Sequence, residues 1–323
     1  MPMFWVKPGS GTVTAGKNSL LTKVYRAGHT LVYDTNSQKL LMFGGIDNGA
    51  PTVHRNEVYE WSGTNWVLRP VLVGTAPSGR VYHSAAYDSV RNKMVILGGR
   101  NSSGTILRQL YEWDNATQTW VYRNNLGPEP RINAGMVYDS VKQRTIVFGG
   151  MNYNVSPETY GDTWEYNNST NGWSNVVANP WSWGSYYPGP GCPSGESWCW
   201  KNNSATESPM PRWGQMMVYD PQMRKTVVSG GMVFQDWSEG IHFTAGDTWI
   251  YDSASTSWQE LDVINKNAFA DRTNIYMHKG FYDSNKNEVA SWGGVRYMED
   301  SQLAYYNTNI LRTGASETPS QMF

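Results

Sequence analysis

The sequence has few cysteines and few charged residues, and it lacks any long apolar run. Two of its 323 residues are cysteine, and charged residues make up 16% against 14% for aromatic residues. The net charge of −1 leaves no broad basic field for phosphate binding, so we expect no nucleic-acid partner. No segment approaches the ~20 consecutive apolar residues that span a bilayer. Apolar burial must therefore come from Trp and Tyr, which favours many short, packed strands.

The amino terminus and the two cysteines bear on localisation. The opening Met-Pro-Met-Phe-Trp-Val-Lys lacks the apolar core of a secretory signal. Cys192 and Cys199 lie in a loop with Gly, Pro and Ser, at a spacing that a local disulfide can close. A disulfide favours an oxidising compartment, and two reduced thiols inside a cell are the alternative. We expect a secreted or cell-surface protein whose signal is absent from this chain, and no metal at these cysteines.

One pattern occurs five times: an apolar residue, Tyr-Asp, a polar turn, an apolar run and Gly-Gly. Ten residues separate the Asp from the first Gly in every copy, at Asp34, Asp88, Asp139, Asp220 and Asp283. Such constant spacing indicates a repeated hairpin of two strands, a and b, with a fixed register. A variable loop follows, and then a second hairpin marked by Tyr and Trp, strands c and d. The sequence predicts four antiparallel strands per repeat.

The diglycine followed by spaced Tyr and Trp resembles the kelch repeat, from about Arg26 to Asn307. The resemblance implies an all-β, five-bladed kelch-type β-propeller with four antiparallel strands per blade, as a single domain over residues 1–323. The predicted blades are residues 26–69, 80–123, 131–177, 212–261 and 275–307. In the fifth, Leu303–Tyr306 is the expected strand c, and no Trp follows for strand d. We predict that the N-terminal strand 4–7 closes the last blade and that 308–323 is a C-terminal tail.

Four arginines begin strand a, which is the innermost strand in a propeller. Arg26, Arg80, Arg131 and Arg212 should ring one mouth of the central channel, where they form a candidate ligand-binding collar for an anion. The alternative is a set of buried pairs that lock neighbouring blades together, because acids and amides share one position before strand c: Glu57, Gln109, Asp162, Asp247 and Gln302. A second row lies three residues after each arginine, at His29, His83, Ala134 and Gln215, with His278 in repeat five. We expect neither a metal nor another cofactor there, and a metal held by the three histidines is the alternative.

Residues 179–211 form a Trp-rich insertion between blades three and four. The insertion and its surroundings supply the other candidate ligand-binding residues: Trp181, Trp183, Tyr186, Tyr187, Trp198, Trp200, Trp213 and Trp237. Exposed aromatic rings suit stacking on sugars or anchoring of a protein partner. The alternative is a self-packed cluster beside the disulfide. We predict a binding surface over blades three and four.

Three classes of function stay open. We favour an extracellular binding module for a carbohydrate or protein ligand. The alternatives are a lyase-like carbohydrate-active enzyme and a structural subunit of a secreted or phage assembly, because a fold does not determine an activity. No catalytic residue is assigned, since no nucleophile–base signature is found. Glycan acceptor triplets, Asn-x-Ser/Thr, begin at Asn101, Asn115, Asn167, Asn168 and Asn202.

Overall fold

A computed structural model describes most of the chain. It covers residues 26–47, 53–123, 126–155, 158–185, 198–202, 207–236, 241–261, 276–292, 294–297, 303–305 and 309–311. Within these ranges the regular elements are all β-strands. Residues 1–123 and 124–323 form two compact units, each treated by itself below. The predicted closing strand at residues 4–7 lies outside the described residues, so closure and a count of five blades stay predictions.

The first unit contains two four-stranded antiparallel sheets, which we call blades one and two. Blade one comprises β1 (Thr30–Asp34), β2 (Lys39–Phe43), β3 (Val58–Trp61) and β4 (Trp66–Arg69), paired in that order. Blade two comprises β6 (Ser84–Asp88), β7 (Lys93–Leu97), β9 (Leu110–Asp114) and β10 (Thr119–Tyr122). The short strands β5 (Arg80–Val81) and β8 (Arg100–Asn101) pair beside it.

The second unit contains two more four-stranded blades. Blade three comprises β11 (Gly135–Asp139), β12 (Arg144–Phe148), β13 (Thr163–Asn167) and β14 (Gly172–Val177). Blade four comprises β17 (Met216–Asp220), β18 (Lys225–Ser229), β21 (Thr248–Asp252) and β22 (Ser257–Glu260). Two separate two-stranded ribbons accompany them: β15 (Trp181–Ser185) with β16 (Trp198–Asn202), and β19 (Met232–Asp236) with β20 (Ile241–Thr244).

Repeat five differs from the sequence prediction in the identity of strand c. Its described sheet has three strands, β23 (Lys279–Asp283), β24 (Glu288–Trp292) and β27 (Asn309–Leu311). The segment predicted as strand c instead forms β26 (Leu303–Tyr305), which pairs with β25 (Val295–Tyr297). The prediction was wrong because the apolar and aromatic pattern of this segment suits pairing with β25 as well as pairing with strand b, β24. Gln302, which was predicted at the shared position before strand c, lies outside the described residues.

The repeated Tyr-Asp motif fixes the turn between strands a and b. In blade one, Asp34 Oδ1 accepts hydrogen bonds of 3.0 Å from the backbone N–H groups of Asn36 and Ser37. Gln38 then adopts a left-handed conformation with φ of 55°. The same pair of bonds recurs at Asp88, Asp139 and Asp220. This turn of fixed length explains the invariant spacing to the diglycine.

The diglycine allows the next strand a to approach closely. In blade one Gly45 has φ of 88°, and its N–H donates to Arg80 O of blade two over 2.9 Å. A Cβ on Gly44 would lie 2.8 Å from the His83 ring and 2.9 Å from Arg80 O. Any larger residue would push the two blades apart, which is why the pair recurs. Aromatic and aliphatic side chains fill the remaining space, including Phe43, Trp113 and Trp120 in the core that blades one and two share.

Candidate recognition site

The four arginines precede strand a rather than begin it, because these strands start at Thr30, Ser84, Gly135 and Met216. The arginines are buried and paired inside their own blades. Three of them meet a carboxylate just before strand c, in the pairs Arg26–Glu57 (3.1 Å), Arg131–Asp162 (2.7 Å) and Arg212–Asp247 (2.5 Å). All four, Arg80 included, donate to the carbonyl of the first glycine of their own blade, over 2.8–3.2 Å. The expectation that such pairs link neighbouring blades is therefore wrong. They tie strands a, b and c of one blade together.

Burial separates these arginines from any ligand in solvent. The side chains of Arg26, Arg131 and Arg212 are 5%, 1% and 0% exposed, and Arg80 is also fully buried. Arg131 additionally lies over the Tyr160 ring, 4.2 Å from its centroid. The arrangement fits the ion-pair alternative, and it leaves the anion-binding collar without an exposed guanidinium group.

Arg80 differs from the other three because its partner is neutral. Its Nη2 lies 2.9 Å from Gln109 Oε1, and its other described bonds go to Ser78 O, Ser78 Oγ and Gly98 O. Burial lowers the pKa of Arg80 to about 10, an effect that Tyr111 opposes. The guanidinium is still charged at neutral pH. Blade two therefore buries a cation against neutral oxygens.

The partner acids are held in their ionised form. Burial by itself raises the pKa of Asp162, but the charge of Arg131 and hydrogen bonds from Arg131 and Trp164 outweigh it, so the pKa lies below its usual value. Asp247 has the same balance with Arg212 and Trp249. Neither carboxyl holds a proton at neutral pH, so neither suits a general acid.

Two of the residues that lie three positions after an arginine, His83 and Gln215, contact the preceding blade of their own unit. His83 Nε2 lies 2.7 Å from Thr30 Oγ1, and its ring meets Phe43 edge-on at 5.2 Å. In the second unit, Gln215 Nε2 donates to Phe148 O over 2.8 Å. Burial lowers the pKa of His278 to about 3, which keeps it neutral. Within the described ranges, no group of three His, Cys, Asp or Glu side chains could hold a metal ion.

The Trp-rich insertion contains a two-stranded antiparallel ribbon, β15–β16. Its register sets Trp183 opposite Trp200, while Trp181 pairs with Asn202 and Trp198 with Ser185. Since directly opposed residues, and residues two apart along a strand, share one face of a ribbon, all four tryptophan positions lie on the same face. Tyr186, Tyr187, Trp237 and Cys192 lie outside the described residues, and so does the predicted Cys192–Cys199 disulfide.

Trp213 belongs to the packing of blade four. It is 9% exposed, its backbone forms a β-bridge with Met232, and its ring meets Tyr276 edge-on at 5.4 Å. The equivalent positions in the first two repeats are Ala27 and Val81. The sequence analysis assigned Trp213 to ligand binding because it is a tryptophan, but its position in the repeat is buried in the structure.

A polar network at the turns escaped sequence reasoning. Asn115 Nδ2 donates to Glu60 Oε2 over 2.7 Å, and Asn115 Oδ1 accepts from Trp113 Nε1 over 3.3 Å. Tyr87 donates to Asp34 beside them, which joins blade two to blade one. Asn115 and Asn168 are 6% and 5% exposed, so neither glycan triplet is accessible in the folded chain. The available signal was their shared position directly after strand c.

The sequence of these blades matches a known family of repeat domains. The family described as the KLHDC2/KLHL20/DRC7 Kelch-repeats domain matches residues 28–182, which include blades one to three. Over residues 28–182 the chain belongs to the kelch-repeat family.

Curated relatives match part of the chain at modest identity. The Rab9 effector protein with kelch motifs of Xenopus laevis is 26% identical over 36% of this chain and 32% of its own length. Dynein regulatory complex subunit 7 of Chlamydomonas reinhardtii is 29% identical over 39% of this chain and 11% of its own length. The tRNA wybutosine-synthesizing protein 2/3/4 of Arabidopsis thaliana is 26% identical over 40% and 13%. The chain thus spans at most about a third of each of these relatives.

A solved structure supports the kelch fold over most of the chain. The structure of YjhT matches with a TM-score of 0.54 at 14% identity, over 88% of this chain and 84% of that one. At that identity the likeness concerns the fold alone. A kelch propeller is consistent with binding or recognition. A search of the described residues for a helix able to cross a membrane found none.

Proposed function

We propose that this kelch protein is a recognition module that binds a protein partner through the β15–β16 ribbon. One observation carries the proposal: the register of the ribbon gathers Trp181, Trp183, Trp198 and Trp200 on one face. Tryptophan is enriched among the residues that dominate binding energy at protein interfaces. A row of four is more than the pairing of two short strands requires.

The ribbon lies outside the sheets of the blades. β15 and β16 pair only with each other among the described strands, while β14 and β17 belong to blades three and four. The ion pairs and turn bonds described above for the blades all join residues outside the ribbon. The ribbon can therefore carry a function without being needed for the fold, unlike the buried arginines.

A protein partner is favoured over a carbohydrate. The Rab9 effector and the dynein regulatory complex subunit are named for association with proteins, and both match part of this chain. Aromatic rings also stack on sugars, so a carbohydrate ligand is the competing outcome. Secretion, which the sequence predicts from the cysteines, stays a prediction.

The proposal can be tested with two arrays, one of peptides and one of glycans. Both are probed with the full chain and with a variant in which a short Gly-Ser linker replaces residues 182–206. Trp183→Ala is the point variant, and Tyr153→Ala is the control because Tyr153 is an exposed aromatic residue, 39% exposed, in a loop of blade three.

We expect peptide binding by the full chain and by Tyr153→Ala, with loss in the linker variant and at least tenfold weaker binding in Trp183→Ala. Binding to glycans alone would contradict the proposal that the partner is a protein. Binding that survives in the linker variant would contradict the proposal that the ribbon is the binding site. Circular dichroism of the linker variant checks that its blades remain folded.

A further inference from the structure

The outer strands of the four described blades differ at two equivalent exposed positions. In each blade a Trp of strand d is followed by two exposed residues. These are Val67 and Leu68 in blade one, Val121 and Tyr122 in blade two, Ser174 and Asn175 in blade three, and Gln259 and Glu260 in blade four. The blades of the second unit carry polar residues there, as an exposed edge strand normally does. The blades of the first unit carry large apolar residues.

The apolar residues continue along the chain into a larger patch, which we call the apolar rim. It consists of residues 67–68, 71–73 and 121–122, whose side chains are 36–67% exposed. Residues 71–73 run beside β10, where Val73 forms a parallel bridge with Thr119 and Leu72 N donates to Gln118 O over 2.9 Å. Leu72, at 67%, is the most exposed residue of the rim.

The rim is a sheet edge rather than one face of a sheet. Neighbouring residues of a strand point to opposite faces, yet Val67 and Leu68 are both about half exposed. β4 pairs only with β3 among the described strands, so its outer backbone groups face away from the sheet. An added strand would pair with this backbone and cover apolar side chains on both faces at once.

The chain on either side of β4 carries no fully exposed charge. Every exposed residue from 62 to 75 is uncharged. The one charged residue in that range, Arg69, donates to Asn115 O over 3.1 Å and lies 3.9 Å from Glu60 Oε2. In a symmetric contact between identical chains, each patch faces the same patch of the other copy. A net charge on the patch would therefore repel its counterpart. A neutral patch has no such penalty.

The exposed area also approaches that of a specific interface. Fully burying a Val or Leu side chain removes roughly 60–120 Å² of apolar surface from water, so seven side chains that are about half exposed present roughly 200–400 Å². Two copies contribute roughly 400–800 Å², and the paired backbone brings the contact toward the ~1,000 Å² that a specific interface needs.

We propose that the apolar rim is a homodimer interface, in which β4 pairs antiparallel with β4 of a second copy. The pairing joins blade one of each chain into one continuous sheet. Leu68 and Val67 interdigitate with their counterparts, and residues 71–73 and 121–122 flank the contact.

Sedimentation velocity and light scattering test the proposal. The wild-type chain should have a mass near twice 36.4 kDa. Leu68→Lys should give a monomer at the same concentration, because it places a charge on both copies of the contact. Asn175→Lys, at the equivalent position of blade three, is the matched control and should remain a dimer. Leu72→Ser serves as a second rim variant, and thermal melting checks that each variant is folded.

A wild-type chain that stays monomeric at its highest soluble concentration would overturn the homodimer. So would a folded Leu68→Lys that remains a dimer, or dissociation by Asn175→Lys to the same extent. Backbone amides of residues 66–69 should exchange hydrogen at least tenfold more slowly in the dimer than in Leu68→Lys. The variant lacking residues 182–206 should still dimerise, which separates this interface from partner binding by the ribbon.

Discussion

Gln109 allows a direct measurement of what the buried arginine pairs contribute to stability. Blades one, three and four place a carboxylate beside the arginine of strand a, whereas blade two places Gln109 Oε1 2.9 Å from Arg80 Nη2. The substitution Gln109→Glu supplies the missing charge with almost no change in side-chain shape. We expect it to stabilise the chain.

The magnitude follows from the added charge. The present bond joins the charged Arg80 to a neutral oxygen and already belongs to the class that contributes about 1.5–3 kcal/mol, so the gain in Gln109→Glu is the attraction of the added negative charge alone. Part of that gain is lost in desolvating the new carboxylate. The equivalent Glu57 side chain keeps 29% exposure, so this loss is partial. The free energy of unfolding should rise by about 0.5–1 kcal/mol at pH 7.

Urea unfolding followed by tryptophan fluorescence measures the effect. A carboxyl beside Arg80 should have a pKa below the usual value of about 4.3, so the gain should be present at pH 7 and disappear as the pH falls through that lowered value. Gln259→Glu, at an exposed position, is the control and should change stability by less than about 0.5 kcal/mol. A Gln109→Glu chain that is less stable at pH 7, or equally stabilised at pH 2, would refute the reasoning.

Two further predictions concern the acids and the amino terminus. Because the pKa values of Asp162 and Asp247 are lowered in the folded state, stability is complete above about pH 4 and should decline as the pH falls through the folded values. Urea midpoints at pH 6 and pH 3 check this, and equal midpoints would contradict it. Removal of residues 1–8 should lower the melting temperature, since residues 4–7 are predicted to complete the last blade. Identical melting of the two chains would rule out that closure.

The hairpins of strands a and b could be predicted because their causes are local. Asp34 binds the backbone two and three residues ahead, and the diglycine ends strand b a fixed distance later. The Arg26–Glu57 contact spans 31 residues, yet repetition made both positions visible. The mistake was to expect that this pair links two blades, whereas it joins strands of one blade. The sequence shows which positions recur but not whether they meet within a blade or between blades.

The connections between strands could not be predicted in the same way. Leu303–Tyr305 has the pattern of a strand and was predicted to lie beside strand b of repeat five. In the structure it pairs with Val295–Tyr297 instead. The period of two that identifies a strand carries no information about its neighbour. Trp213 is a similar case, since its chemistry indicated a ligand and its position in the repeat indicated burial. Position in the repeat was the better guide for both the tryptophan and the four arginines.

Differences among the repeats are therefore more informative about function than the repeats themselves. A position that recurs in every blade, such as the arginine of strand a, is explained by contacts that every blade needs. The ribbon occurs once, and the apolar positions of the outer strand occur in two of the four described blades. Neither departure improves the packing of its own blade, because the ribbon lies outside the sheets and the rim side chains remain exposed. We therefore expect a variant at Leu68 to leave peptide binding unchanged and a variant at Trp183 to leave dimerisation unchanged.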